Sequence, residues 1–513
     1  MVTDGIDVLV VGSGLAGVSA AIEAARAGAQ VALASLGDTF SGSSFYGGTW
    51  GLGLVGPADN DDVDDFVATI LDVGRGVADP TLVRMLVEGV DPAVAWLEGM
   101  GVELRRPSDA TQRAYVPCFD HRRRGWHGLV RASLRAAWNR ELGRLGVILA
   151  PQTELLDLLE EDGRVVGALV ANHATGRILR VPCGSVVLAT GGLAGLYERR
   201  LTADDSCGAA HGIALAHGCE LVNAEFLQMM PGLVSPVAGV VVNEKALRFS
   251  TVGMDPEVLD ERSGYGPFTS RLPSSEFDLA VAAAGPDGLP LSFDLPAGTD
   301  ELVTDYFDWL RSSFGIHPED EVRVALFAHA SNGGIRIAPD ASCVGGPAGL
   351  FAGGECTGGI HGADRIGGLA SAAALVFGRI AGRSAAAEAG RGHEMPTAVQ
   401  VPWGWSPEAY RALASLRCEM TAHAMVARTE EGLSSALGRA DDLRRDLGET
   451  LSPTTDAQQA ALTRRTSLQL ASARAMLGAM LARRESRGSH HRADHPGEGP
   501  AMARQAGAGL QST

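Results

Sequence analysis

The sequence predicts an α/β fold: a Rossmann-like nucleotide-binding domain and a C-terminal helical bundle. Three observations predict it. "IDVLVVGSGLAGVSAAIEAARAGAQVALAS" (6–35) reads as a buried strand, a glycine turn, an alanine-rich helix and a second strand. Two further apolar strands, "GSVVLATGG" (184–192) and "AGLFAGGE" (348–355), also run into glycine turns. From 407 to 490 the apolar residues recur at spacings of three and four, as on one face of a helix.

The first motif carries the most chemistry. Gly12 makes the turn, Gly14 admits a pyrophosphate to the backbone, and Gly17 lets helix and strand pack closely, with the helix N-terminus facing the phosphates. The acidic residue expected some 20 positions on, for the ribose hydroxyls, is absent, and Ser35 stands at that place. A simple nicotinamide enzyme needs only the first of the three strands, so their convergence points to FAD.

Composition bounds the rest. At 513 residues the chain is long enough for two or three domains, and with 45% apolar and 20% charged residues it is globular. A net charge of −18 argues against nucleic acid as a partner. The seven cysteines are scattered without a C-x-x-C pair, so no metal or iron–sulfur site is expected, and a reducing cytoplasm fits best. The N-terminus has no basic region ahead of its apolar run, and no stretch of about eighteen uncharged apolar residues is present, so neither secretion nor a transmembrane segment is expected. Lys245 is the only lysine, a bias from which alone no mechanism follows.

Several segments resemble, in order, the flavoprotein family of succinate dehydrogenase, fumarate reductase and L-aspartate oxidase. They are the N-terminal motif, "GSSFYGG" (42–48), "NAEFLQMMP" (223–231), "AHASNGGI" (328–335), "GLFAGGECTGGIHGADRIGG" (349–368) and "RRESRGSHHRADHP" (483–496). The length is nearest that of L-aspartate oxidase. The resemblance implies bound FAD, with contacts from Ser43, Ser44, Gly47, Gly48, Thr190, Gly191, Glu355, Gly368 and Ser371 besides the residues above. Glu355 would meet the ribityl and ribose region, and the helix after Gly368 would point its positive end at the flavin. Where the membrane-bound members carry a histidine linked to the flavin, this chain has Ser43, so FAD is expected without a covalent bond.

The same resemblance assigns three catalytic positions. Arg365 matches the arginine that grips a substrate carboxylate with two parallel hydrogen bonds, the alternative being a structural ion pair. His329 matches a second substrate-binding position, against the alternative of a core histidine. Arg271, in "GPFTSRL" (266–272), resembles the residue that carries the proton to or from carbon, and reads equally as a surface arginine.

Departures from the family pattern bear on the substrate. Met230 stands in place of a carboxylate-binding histidine, and "LVSPVAGVVVNEKALRF" (233–249) shortens a loop that normally holds an R-G-E-G run. The glutamate used for a substrate ammonium has no counterpart in "AYVPCFDHRRRGWHG" (114–128). These changes predict a small carboxylate substrate whose far end is uncharged. The cluster Arg122–Arg124, after His121, reads as a solvated patch, the alternative being that it reaches the pocket from another side.

The resemblance implies 1–228 with 325–392 for FAD and 229–324 as an inserted α+β capping domain, while 407–490 reads as the helical bundle, 393–406 as a linker and 491–513 as a loose tail. The predicted function is that of an FAD-dependent oxidoreductase acting at a C–C or C–N bond, the alternative being a flavin-binding electron-transfer or non-catalytic subunit. Retention of Arg365 and His329 favours the enzyme. The electron donor or acceptor and the oligomeric state stay open.

Overall fold

The computed structural model describes residues 5–271, 274–389, 397–398, 400 and 403–499. Its centre is a five-stranded parallel sheet of β1 (Val8–Val11), β2 (Val31–Ala34), β3 (Ile148–Ala150), β4 (Ser185–Leu188) and β5 (Leu350–Ala352), in spatial order β5-β4-β1-β2-β3. Val8 of β1 lies opposite Val31 on one side and Ser185 on the other. β1, β2, β4 and β5 are buried along their whole length, which is why they read as uninterrupted apolar runs rather than alternating ones.

Helices α1 (Leu15–Arg26) and α2 (Leu369–Glu388) cross on this sheet at unusually close range. A Cβ on Gly378 would sit 2.4 Å from the carbonyl oxygen of Ala16, and one on Gly382 would sit 2.2 Å from that of Ala20. The small residues of "GRIAG" (378–382) therefore let backbone meet backbone, and this contact brings the N-termini of both helices to one end of the sheet.

Two long antiparallel strands, Leu227–Ser235 and Val322–Ser331, carry the chain into and out of the inserted segment. Short strands Val240–Val241 and Leu289–Leu291 complete a four-stranded sheet with them. The pairing steps from Gln228 opposite Ala330 to Met229 opposite Ala328, leaving His329 as the extra residue of a β-bulge. A bulge turns a side chain out of the regular alternation, and here it is one of the residues predicted to be functional.

Helices Ala409–His423, Glu430–Glu449 and Ala457–Ala482 follow. Thr429 and Asp456 cap the second and third by accepting backbone N–H bonds, as their side-chain chemistry requires. Leu470, Met476, Leu477 and Met480 share one apolar core with Phe268, Phe277 and Tyr306 of the insertion, so the bundle buttresses the cap.

Residues 491–499, expected as part of a loose tail, are tied to the body of the chain by backbone hydrogen bonds, Arg428 N–H to the His491 carbonyl and Ala493 N–H to the Arg428 carbonyl among them. Arg483, Arg487 and Arg492 are buried and paired, with Glu225 (2.6 Å), Glu485 (2.7 Å) and Asp494 (2.7 Å) respectively. A run that looks solvated by composition is held inside because each guanidinium has its carboxylate there. Residues 500–513 lie outside the described residues, as does half of the expected linker. Within that linker, residues 397–398 pair with the strand Arg177–Pro182, and Trp405 exchanges backbone hydrogen bonds with Ser452.

Candidate active site

A cavity of about 360 Å³ opens where the C-terminal ends of β1, β4 and β5 face the inserted segment. Its floor is the glycine turn. Gly12 has φ +108°, and a Cβ there would lie 2.1 Å from the carbonyl oxygen of Ala189. One on Gly17 would lie 1.8 Å from the oxygen of Gly12. Gly12 and Gly17 thus hold the turn against β4 and α1, while Gly14 lines the cavity itself. The first turn of α1 carries no acidic side chain, and Gly14 caps it without a side-chain bond. Apart from the Leu15 N–H, which donates to Ser44, the first-turn N–H groups and the dipole are therefore available to an anion.

Hydroxyls surround that helix end. Ser35 contacts Ser13 (3.0 Å) and Ser41 (2.9 Å), and Ser44 accepts the Leu15 N–H at 3.1 Å. Ser43 lies 2.6 Å from the hydroxyl of Thr202. Two acids that the sequence reading missed come from distant segments: Glu154 Oε1 and Asp205 Oδ1 are buried without hydrogen-bond partners, and both residues line the cavity. Buried acceptors without donors fit a ligand rich in hydroxyls, and the uncapped helix end fits its phosphates. These features fit the adenosine diphosphate half of FAD.

Further along the wall, Thr190, Gly191, Glu355, Gly368 and Ser371 all face the cavity. Glu355 accepts the Ser331 N–H at 3.0 Å, and burial raises its carboxyl above the usual range. Gly368, at φ +82°, caps α2 without a side-chain bond, so apart from the Leu369 N–H, which donates to the Ile366 carbonyl, the first turn of that helix also has N–H groups available. Gly47 and Gly48 are not brought to the cavity. A Cβ on Gly48 would meet the carbonyl oxygen of Gly239 at 2.0 Å, so its bareness serves packing against the cap, and Thr49, Trp50 and Gly53 line the wall instead.

At the opposite end stand Arg365 and His329. Arg365 is buried and donates one bond, 2.7 Å to Gln228 Oε1, while its Nε has no partner. Burial and the neighbouring Arg365 push the His329 imidazole down to about 3, so it is neutral at physiological pH, and its Nδ1 is also unpartnered. Each buried polar group left unmade costs about 1–3 kcal/mol, and a ligand carboxylate supplies the missing acceptor for the guanidinium. Met230 lines the same wall, within an apolar group that includes Leu201, Val241 and Phe327.

Arg271 does not reach this point. The chain lines the cavity at Gly266 and Pro267 and then leaves it, and the Arg271 guanidinium lies 3.6 Å from the carboxylate of Asp72. The proton-carrying role expected of it needs an approach that this arrangement does not provide. Arg122–Arg124 also lies away from the cavity. Arg122 and Arg123 are exposed, whereas Arg124 is buried against Asp65 (2.8 Å) and Asp120 (2.9 Å), which corrects the expectation of a wholly solvated patch.

Asp364, one residue before Arg365, is fully buried and accepts the Thr269 hydroxyl at 2.8 Å. Burial raises its carboxyl from 3.8 to about 7. Between those values the folded chain holds a proton that the unfolded chain has lost, so this group's contribution to stability falls as pH rises, by ~4 kcal/mol at the limit. Asp364→Asn is expected to gain stability relative to the parent at pH 8 and to gain none at pH 4. Denaturant unfolding at the two pH values checks this, and an equal difference at both contradicts it.

A glycine-floored nucleotide site that opens onto a buried arginine–histidine pair defines an FAD-dependent oxidoreductase. Residues 7–370 match the FAD binding domain family, and residues 414–505 match the fumarate reductase flavoprotein C-terminal family. The chain is 29% identical to one component of the fumarate reductase (CoM/CoB) of Methanothermobacter marburgensis, covering 97% of this chain and 96% of that one. It is 30% identical to L-aspartate oxidase of Mycobacterium tuberculosis, covering 98% and 94%. In fold it resembles the Sdh1 complex of Mycobacterium smegmatis (TM-score 0.79, 24% identity, 97% of this chain and 90% of that one). Quinol fumarate reductase of E. coli is similar (TM-score 0.78, 22% identity, 97% and 93%). The chain belongs to the FAD-binding flavoprotein family of fumarate reductase and L-aspartate oxidase. Among its described residues no helix is long and apolar enough to cross a membrane.

Proposed function

We propose that this oxidoreductase transfers hydride between FAD and a small carboxylate substrate, with Arg365 and His329 holding the carboxylate. The observation that carries this reading is the pair of unpartnered nitrogens, Arg365 Nε and His329 Nδ1, on residues that line one cavity with the glycine turn. Bound FAD supplies the two-electron chemistry. The chain's own residues do the rest. Arg365 offers a planar fork whose position is fixed by Gln228, so the carboxylate is oriented as well as held. His329, kept neutral, hydrogen-bonds without adding a second charge. The α2 N-terminus favours negative charge at the neighbouring end of the cavity.

In this reading residues 1–228 and 325–392 carry the cofactor and 229–324 close over it. The cytoplasm is the proposed compartment, since all seven cysteines are free thiols. Steady-state turnover by the purified single chain with an artificial electron carrier separates an enzyme from a subunit that only relays electrons: turnover with a carboxylate supports the proposal, and a bound flavin inert to all carboxylates contradicts it.

The flavin is held without a covalent bond. Ser43 cannot form an imidazole link, and the one histidine among the described residues lining the cavity is His329. Acid precipitation is expected to leave all the flavin in the supernatant, and colour retained by the washed pellet refutes this.

A further inference from the structure

The apolar wall that begins at Met230 does not end there. Met230 lies two residues beyond Gln228, which holds Arg365, and it belongs to the apolar group against which Trp50 packs. Trp50 also packs against a second group, Ala114, Tyr115 and Leu302, and Trp126 joins it there. Met230, Trp50, Tyr115, Trp126 and Leu302 all line the cavity, so an aromatic arm leads away from the carboxylate end. Local structure sets its rings. Trp126 is on the strand Gly125–Leu129, which pairs with Leu52–Gly56 so that Val55 lies opposite it. A Cβ on Gly53 of that partner strand would lie 3.1 Å from Trp126 Nε1, so the bare backbone there makes room for the indole. The Tyr115 ring meets Trp126 edge-on at 5.2 Å.

The charge in this arm is matched within the protein. Arg105 lines it too, but its guanidinium lies over both indoles, 5.4 Å from each ring centre, and pairs with Asp305 at 2.6 Å. Tyr115 and Leu302 are buried, whereas Trp50 and Trp126 are only half-buried where they line the cavity. Covering such a surface with an apolar group is favourable, while a charged group placed on it would lose water and find no partner.

We propose that this arm receives an aromatic ring, so that the substrate is an aryl-bearing monocarboxylate whose carboxylate is held by Arg365 and whose ring lies among Trp50, Tyr115 and Trp126. The proposal rests on the reading of Arg365 as a carboxylate binder, and it extends the uncharged far end expected from Met230.

The holoenzyme with propionate, butyrate, succinate, 3-phenylpropionate and cinnamate as probes tests this, with dissociation constants read from perturbation of the oxidised flavin spectrum. The two aryl compounds are expected to bind about 10–100-fold more tightly than propionate, the effect of burying one phenyl ring, and more tightly than succinate. Trp126→Leu keeps the arm apolar but removes ring surface, and is expected to weaken the aryl compounds about tenfold while changing butyrate less than about threefold. Trp126→Phe restores most of the loss. Succinate binding more tightly than both aryl compounds overturns the proposal, as does an aryl affinity no higher than that of butyrate or untouched by Trp126→Leu. Aryl binding that releases flavin also overturns it and assigns the arm to the cofactor. The ranking of probes on the parent needs no variant, so it decides the matter even where Trp126→Leu does not fold. If propionate and butyrate bind through Arg365 and the aryl compounds show no advantage, this proposal alone fails; if no carboxylate binds the parent and Arg365→Lys changes nothing, the Arg365 reading fails and this one falls with it.

Discussion

Arg365→Lys is expected to lower kcat/KM for the carboxylate substrate by about 10²–10³-fold while leaving FAD content unchanged. The substitution keeps the charge and discards the geometry. In the parent, one terminal nitrogen is committed to Gln228 and the unpartnered Nε remains for the ligand, so the guanidinium plane is set before substrate arrives. A lysine offers a single mobile point charge, cannot bond Gln228 and the carboxylate in one plane, and leaves Gln228 Oε1 without its donor. Misorientation by an ångström costs a reaction that depends on alignment about two orders of magnitude. FAD binding is expected to survive because the phosphate-facing turn and the hydroxyls around Ser35 are at the other end of the cavity. Steady-state kinetics with flavin quantified by absorbance check both halves, and equal turnover in variant and parent contradicts the assignment.

Gly17→Val is expected to bring FAD occupancy below about a tenth and to destabilise the fold by ~3 kcal/mol or more. The reason is a contact that nothing nearby can relieve. The added Cβ would lie 1.8 Å from the carbonyl oxygen of Gly12, and Gly12 itself is pressed on Ala189 of the segment after β4. Relief requires the whole turn to lift, which takes the N–H groups of the α1 N-terminus out of line with the phosphates. The flavin-to-protein ratio and the thermal midpoint of the purified variant measure the effect, and full occupancy at an unchanged midpoint contradicts it.

What the sequence made legible was local. The β1–α1–β2 unit, the glycine turn and Ser35 lie within one short stretch, where apolar periodicity and glycine spacing have a direct structural meaning. Arg365 and Glu355 were assigned through the family resemblance of the glycine-rich run that holds them. The missed residues depend on long-range placement. Glu154 and Asp205 reach the nucleotide end from separate segments, and no spacing rule connects them to Gly12. The bulge that leaves His329 unpaired is a one-residue offset between two strands, invisible in either strand alone.

Errors of orientation have the same origin. Arg271 sits in a motif that suggested catalysis, but the turn after Pro267 carries it away from the cavity. Arg492 falls in a segment expected to be a loose tail, yet it is buried against Asp494.

The most direct test of the central claim is anaerobic mixing of the holoenzyme, with its flavin oxidised in one series and chemically reduced in another, with a panel of small carboxylates and their unsaturated or amino analogues. Flavin absorbance reports electron transfer in either direction. The account predicts that at least one of these compounds reduces the oxidised flavin or oxidises the reduced flavin, and that Arg365→Lys slows that same step. A flavin whose redox state no carboxylate changes in either direction would contradict it.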